Sequence, residues 1–286
     1  MDIVKDIIAK VKVIPPLSSS SMKLLDLVKD DRYSLQDITR VVQCDPALTA
    51  NVLKVVNAPA FGLGHQISSL SRAVTFLGDK TVIGIAIATC SPKIYDRALE
   101  GYQSGRGELW LHSLHTAIAA RELSKRAKKP LSAEAAFTGG ILHDIGKAVL
   151  SDYLQDKAGE LIDVVEANQA DGFSEAERSS LGVDHTQVGL ALAEHWNLPE
   201  PLRECIRFHH TPRLADADFR PLVYCIHLAD SVAMLGGSGT GADALLYPLD
   251  ELWPDYFTLD EAGLEALILA VSIDFLKTKA SLFTTN

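Results

Sequence analysis

Apolar residues recur at steps of three and four along almost the whole chain, and no run of strict alternation lies between hairpin turns. That period predicts an all-α fold built as a multi-helix core preceded by an N-terminal helical subdomain. Start and stop residues divide the pattern. After Ile14-Pro15-Pro16, Asp45 is placed to cap a helix with Pro46 in its first position, and Pro59 stops that helix soon after Asn57. Ser68 or Ser69 opens the next helix, Gly78 closes it, and Asp79 starts another that runs to about Cys90. Residues 110–126 read as a helix. An Ala-rich helix ends at His143-Asp144, where Gly146 permits a change of backbone direction. Asp184 with Gln187 forms a capping box for a helix that continues through Trp196. Pro201 and Pro212 bracket one more helix, and residues 222–235 form another.

The glycines of residues 100–107 read as a connector, so the expected division is 1–104 and 105–286. Residues 236–241 hold four glycines but follow a helix and lack a Lys-Ser/Thr ending, so they predict a flexible loop rather than a phosphate-binding one. The longest apolar stretches, 81–90 and 266–272, fall well short of the ~20 residues that span a bilayer. Acidic residues at positions 2 and 6 and the lack of a cleavable apolar run predict a cytoplasmic protein with no membrane partner. The four cysteines form no Cys-x-x-Cys pair and lie in helical patterns, as reduced core thiols do. A formal charge of −10 argues against direct nucleic-acid binding. The basic run from Arg121 to Lys129 is read as compensation of a helix C-terminus.

Candidate chemistry centres on Leu142-His143-Asp144-Ile145-Gly146-Lys147. Around its His-Asp pair the chain also offers His115, His185, His209, His210 and Asp230, each on a helical segment or at its end. Imidazole nitrogen and carboxylate oxygen without thiolate suit a borderline divalent metal, Fe, Mn, Zn or Ni, as one or two ions. Asp144 is the natural bridge, since a carboxylate can serve two ions and an imidazole usually serves one. Paired ions are a known means of presenting hydroxide to phosphorus. Lys147, one turn past Asp144, is placed to reach a phosphate oxygen. His65, His112 and His195 are read as non-ligands, and His227 as a packing residue near Asp230. Cys205 and His209 stand four apart, but no orienting third group supports a thiol nucleophile.

The order His, His-Asp, His, His-His, Asp resembles the HD metal-dependent phosphohydrolase superfamily, and His-Asp-Ile-Gly-Lys resembles its HD-GYP branch. Asp45-Pro46-Ala47-Leu48, Asn57-Ala58-Pro59-Ala60-Phe61-Gly62, Ile67, Ala73 and Leu77-Gly78 resemble the opening of an HDOD domain, and the likeness runs roughly from Ile14 to Leu235. The resemblance implies a bacterial signalling protein with an N-terminal HDOD subdomain and an HD-like metal-binding core. It further implies a metal-dependent phosphohydrolase or phosphodiesterase using Asp144 and Lys147, with a phosphate-ester or nucleotide ligand. The rival implication is a non-catalytic scaffold or ligand sensor acting on a protein partner. Two features depart from HD-GYP. The Gly-Tyr-Pro element is missing after His209-His210, which argues against efficient cyclic-di-GMP hydrolysis. Leu111 also stands where some members carry a glutamate for a third metal, so two ions are the expected ceiling.

Overall fold

The structure, a computed structural model, describes residues 3–14, 17–30, 32–89 and 92–283. Among these residues the regular elements are helical, so the chain is all-α. In order they are α1 (Ile3–Val13), α2 (Ser19–Leu27), α3 (Leu35–Gln43), α4 (Pro46–Val56), α5 (Leu70–Leu77), α6 (Asp79–Thr89) and the single turn α7 (Pro92–Tyr95). There follow α8 (Glu108–Ser124), α9 (Ala133–Leu142), the short α10 (Lys147–Leu150), α11 (Ala158–Glu166), α12 (Phe173–Leu181) and α13 (His185–His195). The chain continues with α14 (Glu200–Phe208), α15 (Arg220–Leu235) and α16 (Glu261–Phe283). Extended pairing is confined to isolated bridges, Leu99 with Ser104 and Ala127 with Phe257. No described helix is long and apolar enough to cross a membrane.

The capping residues act as their chemistry requires. Asp45 accepts from Leu48 N with Pro46 at the helix start, Ser69 accepts from Arg72 N, and Asp184 and Gln187 complete their capping box. Asn57 ends α4, and its side-chain amide both donates to Ile67 O and accepts from Ile67 N, tying that turn to the next segment. Pro15, Pro16 and Cys90 lie outside the described residues.

The helices α2 to α6 pack on one another, and α6 lies along α9. At the centre α8 and α9 cross closely because a Cβ at Gly140 would stand 2.6 Å from Ala117 Cα. α15 covers both, and α13 and α14 flank the group. The chain ends cross between its parts: α1 packs on α13 and α10, and α16 packs on α8 and the turn Pro59–Phe61. A single apolar cluster therefore runs from Ile7 to Phe275.

Two glycine-rich segments are held by specific contacts. The 100–107 connector is anchored: Leu99 and Ser104 exchange backbone hydrogen bonds, Gly101 N donates to Ser151 Oγ, and Tyr102 is fully buried. The 236–241 loop is likewise tied down, by Ala242 N donating to Tyr102 O and by contacts with buried histidines given below. Cys205 and Cys225 are buried thiols, whereas Cys44, at the end of α3, is exposed. Burial pushes the Cys205 thiol well above its usual range, consistent with an inert core residue rather than a nucleophile.

Candidate metal centre

Five chain segments meet around Asp144. α9 ends at His143, whose Nδ1–H donates to Gly140 O at 2.9 Å, and the turn that follows brings Asp144 beside it. α13 begins with His185, α14 ends at His209-His210, α15 supplies Asp230, and α8 supplies His112. His112, His143, Asp144, His185, His209 and Asp230 are all buried. Asp144 faces two ways. Its Oδ2 is 3.5 Å from the Nε2 atoms of His112 and His143, and its Oδ1 is 3.5 Å from those of His185 and His209. His112 and His143 also face Asp230 Oδ1, at 3.1 and 3.6 Å. The potential ligand atoms thus form two groups, His112/His143/Asp144 and Asp144/His185/His209/His210, each with its atoms within 4.8 Å of one another.

In four of the imidazoles Nδ1 has an acceptor behind it, which leaves Nε2 facing inward. His112 donates to Ser238 O at 2.6 Å, His143 to Gly140 O, His185 to Glu177 Oε2 at 2.7 Å, and His209 to Ile206 O at 3.0 Å. This is how metal-ligating histidines are held, with the outer hydrogen bond setting tautomer and ring direction. Asp144 Oδ1 and His209 Nε2 are buried without a hydrogen-bond partner. The Nε2 atoms of His112 and His143 approach to 3.2 Å although both Nδ1 atoms are already engaged, so a proton or a cation must lie between their lone pairs. Such orphaned atoms fit a divalent ion in each group.

Charge supports the same fit. Burial alone would raise Asp144, but Lys147 and the surrounding imidazoles hold it well below the usual carboxylate range. Asp230, likewise opposed by burial, is held low by His112 and His143. Burial pushes His209 down to about 4 and drives His210 well below its usual value, keeping both neutral as ligands must be. Burial opposes the protonation of His112 and His185, yet their carboxylate neighbours, Asp230 and Glu177, raise both.

The geometry brings His112, rather than the expected His115, into the cluster around Asp144. His115 stands outside both groups: its Nδ1 meets Ser238 Oγ at 2.8 Å and its ring stacks on Phe275 at 4.2 Å. His112, read from sequence as a non-ligand, takes the inward place. Three residues on an α-helix differ in direction by about 60°, and here His112 faces the cluster while the His115 ring packs on Phe275. Lys147 is also not free to meet a phosphate. Its ammonium lies 2.7 Å from Asp144 Oδ2 and 2.6 Å from Asp243 Oδ2, and donates to Thr240 Oγ1 at 2.8 Å, so it is held among these three side chains. Gly146 has ordinary helical φ; the glycine is required because a Cβ would stand 1.9 Å from His185 O. His227 donates to His209 O and accepts from Asp250 N, a buried tether. Leu111 lies away from the centre, in a cleft with Trp110.

Residues that no local motif revealed complete the site. Glu177 receives His185 Nδ1, His185 N and the Tyr102 hydroxyl. Asp243 receives Lys147, Thr240 and Tyr247. The Tyr247 ring stacks on His210 at 3.9 Å, and beyond this pair lies a cavity of about 310 Å³ lined by Arg178, Thr186 and Thr211 among others. Residues 236–250 thus form a strap across the centre.

Comparison with known proteins agrees with this architecture. The HDOD domain profile matches residues 14–212. An uncharacterized protein of Treponema pallidum (strain Nichols) is 27% identical over 218 residues, which are 76% of this chain and 41% of that protein. The chain therefore spans less than half the length of that relative. An HDOD domain protein of unknown function from Geobacter sulfurreducens has a similar structure, with TM-score 0.70, 20% identity and coverage of 99% and 98% of the two chains. A candidate phosphohydrolase from Shewanella amazonensis SB2B aligns with TM-score 0.69 and 25% identity over 96% and 97% of the chains.

Proposed function

The chain belongs to the HDOD domain family, and from that premise we propose that it is a signalling protein with an HD-type divalent-metal centre capable of phosphoester hydrolysis. The observation that carries this reading is the set of four inward-facing Nε2 atoms, each with Nδ1 anchored, around the shared carboxylate of Asp144. His112, His143 and Asp230 would hold one ion, His185, His209 and His210 the other, with Asp144 common to both. A divalent ion there supplies Lewis-acid polarisation and acidifies water. The protein's own part is to orient these imidazoles through their anchored Nδ1 atoms, and to exclude bulk water with the 236–250 strap. With the strap closed, Lys147 is paired with both Asp144 and Asp243; release of Asp243 would give its ammonium a free direction toward a phosphate oxygen.

The cavity beside His210 favours a small ester. Its volume is at the lower end of the roughly 300–1,000 Å³ usual for ligand sites. Asp171, Glu175 and Asp184 outnumber Arg178 along its wall, which disfavours a polyanion such as cyclic-di-GMP. A second reading, a metal-stabilised scaffold for a protein partner, is favoured by the Tyr247 ring closing over His210. Assay of Mn²⁺- or Zn²⁺-loaded protein against an aryl phosphodiester and cyclic-di-GMP separates the two. We expect metal-dependent cleavage of the aryl ester, lost in Asp144→Ala, with cyclic-di-GMP a poor substrate. Bound metal with no hydrolysis of either ester supports the scaffold; no metal binding overturns both.

A further inference from the structure

The helix α16 carries apolar residues on two opposite faces, with charged residues between them, yet only one of these faces is covered. On that face Leu267, Val271 and Phe275 are buried, Phe275 stacks on His115, and Thr278 Oγ1 accepts from Ala60 N. The opposite face carries Ala262, Ala266, Leu269, Ile273 and Leu276, at successive steps of four, three, four and three. Leu269, Ile273 and Leu276 are 65%, 43% and 60% exposed. At about 100° per residue this stripe centres almost diametrically across from Val271. It has the a/d spacing of a coiled-coil seam, on the outward side of a helix whose inner face is already covered.

We propose that this seam pairs with the same seam of a second copy, α16 against α16 in antiparallel orientation. The sequence is self-complementary about a two-fold axis near residue 271. Ala266 then faces the partner's Leu276, and Leu269 faces the partner's Ile273, so a small residue meets a large one at the outer layers and two branched residues fill the centre. Two-fold symmetry repeats both layers, as an isologous interface requires. Charge selects the orientation. Glu265 and Lys279, both exposed, lie on the same flank of the seam, so an antiparallel pair sets Glu265 near the partner's Lys279 twice. Parallel pairing would instead set Glu265 beside Ala270 and Ser272 beside Lys277, with no ion pair gained. Because the seam is opposite the buried face, each protomer's body lies on the far side of its own helix, and the bodies do not collide. A single helix pair is a small interface, so the dimer is concentration-dependent.

Sedimentation equilibrium of the full chain across a dilution series tests the proposal, with Leu269→Glu and Lys279→Glu as variants and thermal unfolding as the folding control. The wild type is expected to approach twice the protomer mass as concentration rises. Leu269→Glu is expected to weaken association by roughly tenfold or more, since it places a charge at the centre of a desolvated seam. Lys279→Glu should weaken it by about two- to fivefold, as loss of exposed ion pairs does, and Glu265→Lys added to it should restore the affinity. Unfolding temperature, measured at dilutions where every form is monomeric, should stay near the wild-type value in all variants, because the substituted side chains are exposed in the protomer. A wild type that remains monomeric at every concentration, or a dimer indifferent to Leu269→Glu, overturns the proposal.

Discussion

Histidines 112 and 115 share a helix and are both fully buried, but they serve different ends. His112 is joined to Asp230 and backed by the Ser238 carbonyl, while His115 holds the Ser238 hydroxyl and supports Phe275. Burial pushes His115 down to about 3, so it is a neutral packing ring. The metal content of dialysed variants, measured by plasma mass spectrometry, should distinguish them. His112→Ala is expected to lose most of one ion per chain. His115→Ala should keep its metal while losing on the order of 2 kcal/mol of stability from the cavity left against Phe275. Equal metal loss in both variants would return His115 to the ligand set.

At the scale of elements, the site depends on how closely α10 approaches α13. The position of Gly146 against the first turn of α13 leaves no volume for a side chain: a Cβ there would stand 1.9 Å from His185 O and 2.5 Å from Gly189 N, both backbone atoms that cannot rotate aside. Gly146→Ala should therefore cost about 3 kcal/mol or more in urea unfolding, and should weaken metal binding because His185 moves with α13. Gly159, within α11, is the control, since nothing lies within 4 Å of its added Cβ. Gly159→Ala should be neutral or stabilising by up to about 1 kcal/mol, as helix propensity predicts. A similar cost at both positions would show that propensity, not contact, governs Gly146.

Over the whole molecule, the two chain ends bind its parts together. Ile7 and Val11 of α1 are buried in a helix that packs on α13 and α10, although α2 to α9 intervene in sequence. α16 crosses back to the turn Pro59–Phe61, where Arg121 also lies over the Phe61 ring. We expect one unfolding transition for the full chain. The three tryptophans, at 110, 196 and 253, all lie beyond residue 105, whereas far-ultraviolet circular dichroism reports every helix. Coincident midpoints by fluorescence and dichroism, both lowered by the roughly 2–5 kcal/mol cost of Ile7→Ala, are the expected result. An Ile7→Ala effect on dichroism alone would indicate that the N-terminal helices unfold independently.

Helix type, most helix starts and stops, and the family resemblance were legible along the chain, because capping chemistry and the 3.6-residue period act between near neighbours. Asp45-Pro46, Ser69 and the Asp184–Gln187 box needed nothing distant to act. The His143-Asp144 pair and the His209-His210 pair were legible for the same reason, as contiguous motifs at helix ends. The choice between His112 and His115 was not: both directions are equally helical, and it was settled by Phe275, some 160 residues away. Glu177, Asp243 and Tyr247 carried no local signal, since each acts through partners brought near only by folding. The glycine-rich loop looked free because composition reports the backbone's freedom, not its contacts. Sequence determined which side chains were available and on what kind of element. Tertiary structure decided which way they face, because that depends on long-range packing and hydrogen bonds that no local spacing encodes.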